Sequence, residues 1–323
     1  MKILVTGGLG FIGHNVVALL EQQGHSCIIT DIQTTYGIIP QSELDYLINA
    51  RRKKIKTDRI YKIDIADQDG ITWLMREHQP EIVVHLASFP RQKVVNADPI
   101  TGSRVMSEGL LNLLEASVKA HVKKFVYVSS SMVYGDFVSD TVDEYADTQP
   151  IGQYGIMKLA GEWLVRDYTR RTGIQHTIIR PSAVYGPMDV EDRVVSKFLS
   201  TAQQGKEIQV NGADECLDFT YIDDAAQGIA KATVSPASYN ATYNITRGRA
   251  RTLLEAAELA TKIVGRGSIA VNSKDGNFPS RGALNINAAH SDFDYNPTID
   301  IEQGFQLYYE WLNNSVYWSQ KTV

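Results

Sequence analysis

The sequence predicts an α/β fold, a doubly wound parallel sheet followed by a smaller C-terminal α+β lobe. Three features carry this expectation. An apolar strand, Ile3 to Val5, runs into a turn with glycines at Gly7, Gly10 and Gly13. Nearly all-apolar runs then alternate with amphipathic stretches as far as Arg180, the pattern of parallel strands buried on both faces between helices. Beyond Arg180 the order loosens into glycine, proline and short strands, and closes on a helical stretch from Ile301 to Asn313. Residues 1–180 are read as one domain and residues 181–323 as mainly a substrate-binding lobe, some of whose segments return to the first domain's sheet. There is no internal repeat and no clean linker.

The elements justify themselves in chain order. At the first turn Gly7 permits a tight reversal, Gly10 leaves room for a pyrophosphate, and Gly13 lets the next helix (His14 to Gln23) pack close with its N-terminal N–H groups toward the phosphates. That is a dinucleotide site. The second strand, Ser26 to Thr30, ends at Asp31, where a carboxylate accepts both hydroxyls of an adenosine ribose and repels a 2′-phosphate. NAD is therefore expected rather than NADP, and the lack of Arg or Lys between Asp31 and Arg51 agrees. A polar excursion with one helix (Gln33 to Lys56) precedes a strand from Ile60 to Ile63 that leads to Asp64. Then come a helix near Ile71 to Glu77, a strand Ile82 to Leu86, a helix Arg104 to Ala120, a strand Phe125 to Ser129, a helix Tyr154 to Arg171 and a strand His176 to Arg180.

Composition excludes several classes. At 323 residues, 43% hydrophobic and 21% charged, the chain can bury a large core. Its net charge of −5 argues against a nucleic-acid surface, and the basic run Arg51 to Lys54 reads as a solvated helix face. Two cysteines, Cys27 and Cys216, indicate neither a disulfide framework nor a metal site. Three apolar residues before Thr6-Gly7-Gly8 make no signal peptide, and no run approaches the ~20 apolar residues of a membrane span. A cytoplasmic protein is expected, with no membrane partner.

Tyr154 and Lys158 lie four apart on one predicted helix and project from the same face. A phenol is a poor base near neutral pH, but a close cation and a bound nicotinamide cation both favour the phenolate, so Tyr154 can accept a hydroxyl proton. Ser129, Ser130 and Ser131 follow the apolar strand at its carboxyl end, where ligands of open α/β sheets bind. At least one of the three is expected only to cap the next turn. His85, at a strand end, reads as a buried structural histidine.

With these pieces in place, the chain resembles the extended short-chain dehydrogenase/reductase family, in its NAD-dependent nucleotide-sugar epimerase and dehydratase branch. The likeness rests on Thr6 to Gly13, Asp31, Asp64-Ile65, His85-Leu86-Ala87-Ser88, Ser129 to Gly135, Tyr154 to Lys158, Arg180 to Pro187 and Asp218 to Asp224. It implies a Rossmann domain. Gly7, Gly10, Phe11, Ile12, Gly13 and Asp31 would hold NAD, with Asp64 and Ile65 at the adenine and Leu86, Ala87, Ser88 and Ser129 along the cofactor. Tyr154 and Lys158 would meet the nicotinamide end, and Ser130, with Ser131 beside it, the reacting sugar. In this family the 4,6-dehydratases resemble one another in carrying Asp-Glu where this chain has Ser131-Met132, decarboxylating members a Glu at the second place, and epimerase-reductases a Cys there. Met132 can exchange no proton. A 4-epimerase is implied, which oxidises C4 of an NDP-hexose or NDP-uronate to a transient 4-keto sugar and reduces it again from the other face.

Such an enzyme must grip the nucleotide diphosphate while the hexose turns. Arg281 matches the family's second diphosphate-binding arginine, whereas Leu217 stands where the first is usual; Arg193 is a candidate replacement. Met106 and Ala183 also replace asparagines usual in the family. Arg91 or Lys93, after the strand containing His85, could meet a phosphate or a sugar carboxylate, and the excursion's length looks like that of uronate 4-epimerases. A homodimer through the helices Arg104 to Ala120 and Gln153 to Arg171 is implied as well. Two alternatives stay open: a reductase or dehydrogenase using the same Tyr154 and Lys158 on another substrate, and a non-catalytic NAD-binding sensor.

Overall fold

The computed structural model describes residues 1–89, 91–189, 193–274, 276 and 278–315. Seven strands form its central sheet: Lys2–Thr6 (β1), Ser26–Thr30 (β2), Ile60–Tyr61 (β3), Ile82–His85 (β4), Lys124–Val128 (β5), Gln175–Pro181 (β6) and Ala241–Ile245 (β7). All pairings are parallel and the order is β7-β6-β5-β4-β1-β2-β3. The order reverses at β1, which lies between β2 and β4. A crevice opens there at the carboxyl ends, the place where doubly wound sheets bind ligands.

Burial explains why these segments are strands. Ile3, Leu4, Val5, Val83, Val84, Phe125 and Val126 are at most 1% exposed, so both faces of the sheet are covered. Leu4, Val83 and Phe125 pack under Leu110, Leu113 and Leu114 of the helix Gly109–Lys119, while Val5, Val84 and Val126 face Val16, Val17 and Leu20 of the helix Phe11–Gln22. Helix starts are fixed by side chains where the backbone has none to spare. Asp67 accepts from Gly70 N at 3.0 Å ahead of Gln68–His78, and Thr252 with Glu255 forms a capping box ahead of Leu253–Val264.

Of the boundaries that differ from expectation, two bear on the site. The first helix begins at Phe11 rather than His14, because Gly10 and Gly13 let its first turn fold against the Gly7 carbonyl. The stretch from Arg104 opens with a π-helical turn, Arg104–Glu108, before the α-helix Gly109–Lys119. Met106, where the family has Asn, is buried in that turn. After β6 the chain contributes Val184, Phe198, Leu199, Ile208, Phe219 and Ile222 to a second apolar cluster, returns to the sheet as β7, and completes that cluster with Phe305 and Tyr308 of its last described helix.

Candidate active site

A cleft of about 830 Å³ runs along the carboxyl ends of β1, β2, β4, β5 and β6, between the sheet and the second cluster. Its lining includes Gly7, Gly10, Phe11, Ile12, Gly13, Asp31, Asp64, Ile65, Leu86, Ala87, Ser88, Ser129, Ser130, Ser131, Tyr154 and Lys158, together with Arg91, Lys93, Arg193 and Arg281. Every residue singled out from the sequence for cofactor, chemistry or substrate faces this one cavity.

At the β1 end, Gly7 has φ +69 and donates to Thr30 O at 2.8 Å, closing the turn. A Cβ at Gly7 would lie 2.8 Å from Ala87 N, one at Gly10 2.9 Å from Gly7 O, and one at Gly13 would collide with that same oxygen. The absence of side chains therefore lets the turn, the first helix and the end of β4 pack this closely, the compact βα turn that a pyrophosphate cradle requires. Asp31 accepts from Leu9 N at 2.9 Å and Gln33 N at 2.7 Å, one bond per carboxylate oxygen, which leaves lone pairs on both for ribose hydroxyls. Burial pushes its carboxyl up, and those two N–H groups oppose the shift. Farther along, Asp64 pairs with Arg104 at 3.1 Å, and Tyr36 packs on Phe89 with ring centroids 4.2 Å apart. These residues fit the adenosine half of NAD.

At the β5 end the helix Gln153–Thr172 presents Tyr154, Lys158 and Glu162 on one face. The Tyr154 phenol and Ser130 line the same cleft; burial raises the phenol above its ordinary value, while Arg193 and the Ser130 hydroxyl pull it down. Lys158 donates to Val128 O at 2.9 Å, and its Nζ lies 5.8 Å from the Tyr154 ring centroid and 5.4 Å from that of Tyr127. Burial lowers its ammonium to about 8, against the support of Glu162. Lys158 thus stands beside the phenol with its ammonium bonded to the strand end, and Arg193, on the same cleft, adds a positive charge that favours the phenolate. Lys158 is turned toward the strand end, where β5 offers its last carbonyl.

Ser129 lines the cleft, yet its hydroxyl is committed to Glu162 Oε1 at 2.6 Å. Any cofactor contact it makes is left to the backbone. Ser130 is extended (φ −163), and its Oγ accepts from Met132 N at 3.2 Å, so it caps the turn Ser131–Val133 and still faces Tyr154. Met132 is buried, and it carries no titratable group beside the pair.

The basic run also needs correction. Arg51 is 4% exposed, not solvated, and its terminal nitrogens donate to Leu9 O at 3.1 Å and Met188 O at 2.7 Å. Helix Gln41–Arg52 lies over the glycine loop and turns that side chain inward. Arg281 is half-buried with its guanidinium lowered to about 10 by burial, against the attraction of Glu215. Arg91 starts the helix Gln92–Ala97 at φ +67. His85 is buried, neutral and bonded through Nδ1 to Thr6 Oγ1 at 2.8 Å, with burial lowering it to about 3.

Glu162 and Asp189 escaped the sequence reading, and Arg51 enters it only as part of a solvated face. Glu162 has a legible signal, its i+8 spacing from Tyr154, which continues the same helix stripe. Asp189 and Arg51 have none, because only the folded chain brings residues 137 positions apart (Arg51 to Met188) into contact.

The chain matches the NAD dependent epimerase/dehydratase family over residues 3–246. It is 29% identical over 313 residues to an uncharacterized UDP-glucose epimerase of Bacillus subtilis (strain 168), covering 94% of this chain and 95% of that one. It is 30% identical over 232 residues to the human dTDP-D-glucose 4,6-dehydratase, covering 70% of this chain and 63% of that one. Among solved structures it is similar to the UDP-glucuronic acid 4-epimerase of Bacillus cereus in complex with UDP-glucuronic acid and NAD, with TM-score 0.87, 27% identity and coverage of 96% of this chain and 98% of that one. With its parallel sheet, its glycine cradle and the Ser130, Tyr154 and Lys158 constellation on one cleft, the chain belongs to the NAD dependent epimerase/dehydratase family.

Proposed function

We propose that the protein is an NAD-dependent nucleotide-sugar 4-epimerase acting on an NDP-hexose or NDP-uronate. One observation carries the choice within the family: the serine facing Tyr154 is followed by Ser131 and buried Met132, so neither of these two positions holds an acid or a base to remove water or a carboxyl group from the sugar. What the site does hold is a phenol, a hydroxyl and an ammonium, enough for proton transfer at one carbinol.

When bound, NAD supplies reversible acceptance of a hydride. The chain supplies the rest. Gly7, Gly10 and Gly13 admit the pyrophosphate, Asp31 the ribose, Asp64 and Ile65 the adenine, and Leu86, Ala87, Ser88 and the Ser129 backbone line the way to Lys158. Tyr154 takes the proton of the sugar 4-hydroxyl and returns it after the 4-keto sugar has presented its other face. Ser130 orients hydroxyl and phenol together. Arg281, with Arg91, Ser131 and Arg193 around the sugar, anchors the diphosphate so that the ketose turns without leaving.

In this reading residues 1–180 bind cofactor and 181–323 mainly substrate. The protein works in the cytoplasm as a homodimer, through the exposed Leu111, Ile156 and Trp163 on the helices Gly109–Lys119 and Gln153–Thr172. Among the described residues no helix is long and apolar enough to cross a membrane.

The test is incubation of purified protein with UDP-, GDP-, CDP- and dTDP-sugars without added reductant, following epimers by NMR. Conversion of one sugar to its 4-epimer, lost in Tyr154→Phe with NAD still bound, is expected. Net NADH consumption on another compound, with no epimer formed from any sugar, would replace this reading with that of a reductase.

A further inference from the structure

The basic run Arg51 to Lys54 has one member whose place in the cleft the reaction leaves unused. Arg51 is buried in the last turn of the helix Gln41–Arg52, whose Leu44 and Leu47 pack into the second apolar cluster with Phe198 and Leu199. The helix is thus seated in the substrate lobe's core, and its final turn reaches back to the cofactor. One terminal nitrogen of Arg51 donates to Leu9 O at 3.1 Å and the other to Met188 O at 2.7 Å. A planar fork with separate donors holds two loops at once, one from each half of the cleft.

Each of those carbonyls belongs to a segment that a ligand needs held. The Leu9 peptide, inside the glycine turn, gives its N–H to Asp31 Oδ2 at 2.9 Å and its carbonyl to Arg51, so the turn that receives the pyrophosphate and the carboxylate that receives the ribose are fixed through one residue. Met188, on the other side, stands at φ +68, an uncommon conformation for a residue with a side chain. A turn in such a conformation persists where its surroundings over-determine it, and the bond from Arg51 is one such tie. Directly after it, Asp189 donates its N–H to Gly186 O at 3.2 Å, and its Oδ1 lies 3.2 Å from Nε of Arg193. Asp189 and Arg193 both line the cleft, and Arg193 leads into the helix Val194–Gln203. The chain of contacts Asp31, Leu9, Arg51, Met188-Asp189, Arg193 therefore runs from the cofactor's ribose site to the substrate wall.

We propose that Arg51 is a positioning residue that clasps the glycine turn to the Met188 turn, so that NAD and the nucleotide of the substrate tighten one another's binding. NAD settling on the glycine turn fixes Leu9 and, through the fork, the Met188 turn and Arg193. A nucleotide diphosphate held by Arg193 acts back along the same bonds, and linkage makes the two effects equal. The inference rests on a nucleotide diphosphate occupying the cleft, as the 4-epimerase reading has it.

The experiment measures NAD affinity of the full chain by fluorescence titration, with and without saturating UDP, in wild type, Arg51→Lys and Arg51→Met; GDP, CDP and dTDP are run beside UDP, and binding of each is checked by calorimetry. In wild type the bound nucleotide should tighten NAD about fivefold or more, the usual range for coupled sites. Arg51→Lys keeps the charge but offers one ammonium in place of the fork, and in it, as in Arg51→Met, the ratio should fall to within about twofold of one. Thermal melting separates this from loss of fold: an arginine of structural use only lowers the melting temperature of the variants and leaves the ratio as in wild type. Should Arg51→Met fail to fold, Arg51→Lys decides. A wild-type ratio of one with nucleotide bound, or a full ratio in Arg51→Lys, overturns the clasp. Binding of none of the four nucleotides removes the nucleotide-sugar reading and the clasp with it. The expected ratios, with no sugar of the bound nucleotide epimerised, would sink the 4-epimerase reading alone.

Discussion

Replacing Glu162 by Gln tests the electrostatics beneath the site. Glu162 is fully buried and accepts from Ser129 Oγ (2.6 Å), Arg180 Nε (2.9 Å) and Arg180 Nη2 (2.6 Å), with Arg166 at 3.3 Å. Arg180 is 2% exposed, and its remaining bonds go to the neutral Tyr134 hydroxyl and Glu144 carbonyl. Glutamine keeps the shape but removes the charge and turns one acceptor into a donor facing a guanidinium or a hydroxyl. Breaking a buried pair from one side costs about 3–5 kcal/mol, a large share of the ~5–15 kcal/mol that holds a domain together. Urea denaturation of Glu162→Gln should show that loss at unchanged slope, while Ser129→Ala, which gives up one hydrogen bond to a charged group, should lose about 1.5–3 kcal/mol. A second readout follows from Lys158, whose ammonium Glu162 supports. Without that anion the Lys158 proton leaves at lower pH, so the alkaline limb of the rate profile should move down from about 8. A loss below about 1 kcal/mol with an unmoved limb would refute the account of Glu162 as the counter-charge of both Arg180 and Lys158.

Three further outcomes follow. In Gly13→Ala the new Cβ meets the Gly7 carbonyl, backbone against backbone, so the cradle must deform. NAD affinity measured by fluorescence quenching should fall at least tenfold, and stability by about 1–3 kcal/mol. His85 is held neutral in the folded chain down to about 3, whereas an unfolded histidine binds its proton below 6.5. Acid therefore favours the unfolded chain, and from pH 6 to 4 wild type should lose about 1.4 kcal/mol per pH unit relative to His85→Asn, read by chemical denaturation; parallel curves would contradict this. Arg281→Met should raise KM for the nucleotide sugar by roughly 10- to 100-fold with kcat little changed, as expected for a charge-assisted bond made equally in ground and transition states.

Legibility in the sequence divides along physical lines. The sheet strands, the glycine turn, Asp31 and the Tyr154 and Lys158 pair were readable because each is local: a run of apolar residues, a φ that only glycine tolerates, a four-residue helical step. Arg51 was misread for the opposite reason. Its neighbours Arg52, Lys53 and Lys54 are partly or fully exposed, and composition alone assigns all four to one solvated face. Only the meeting of the glycine loop and the Met188 loop gives that guanidinium its two carbonyls, Leu9 O and Met188 O. Ser129 and Ser130 show the same boundary from the other side. Adjacent and chemically identical, they take different neighbours, Glu162 for Ser129 and Tyr154 for Ser130, and both come from one helix distant in sequence.

The helix Gln153–Thr172 explains why one fold can keep the same chemistry while its substrate changes. Tyr154, Lys158 and Glu162 descend one stripe at four-residue intervals, so base, cation and counter-charge are fixed by a single rigid element packed on β5. Nothing in that stripe depends on the chain after Arg180, apart from Arg180 itself. Arg193 and Arg281 reach the same cleft from the second lobe, on the loop and turn segments that follow β6, and Met132 reaches it from the turn after β5. Substitution at those positions can alter which anion or sugar is held without disturbing the stripe.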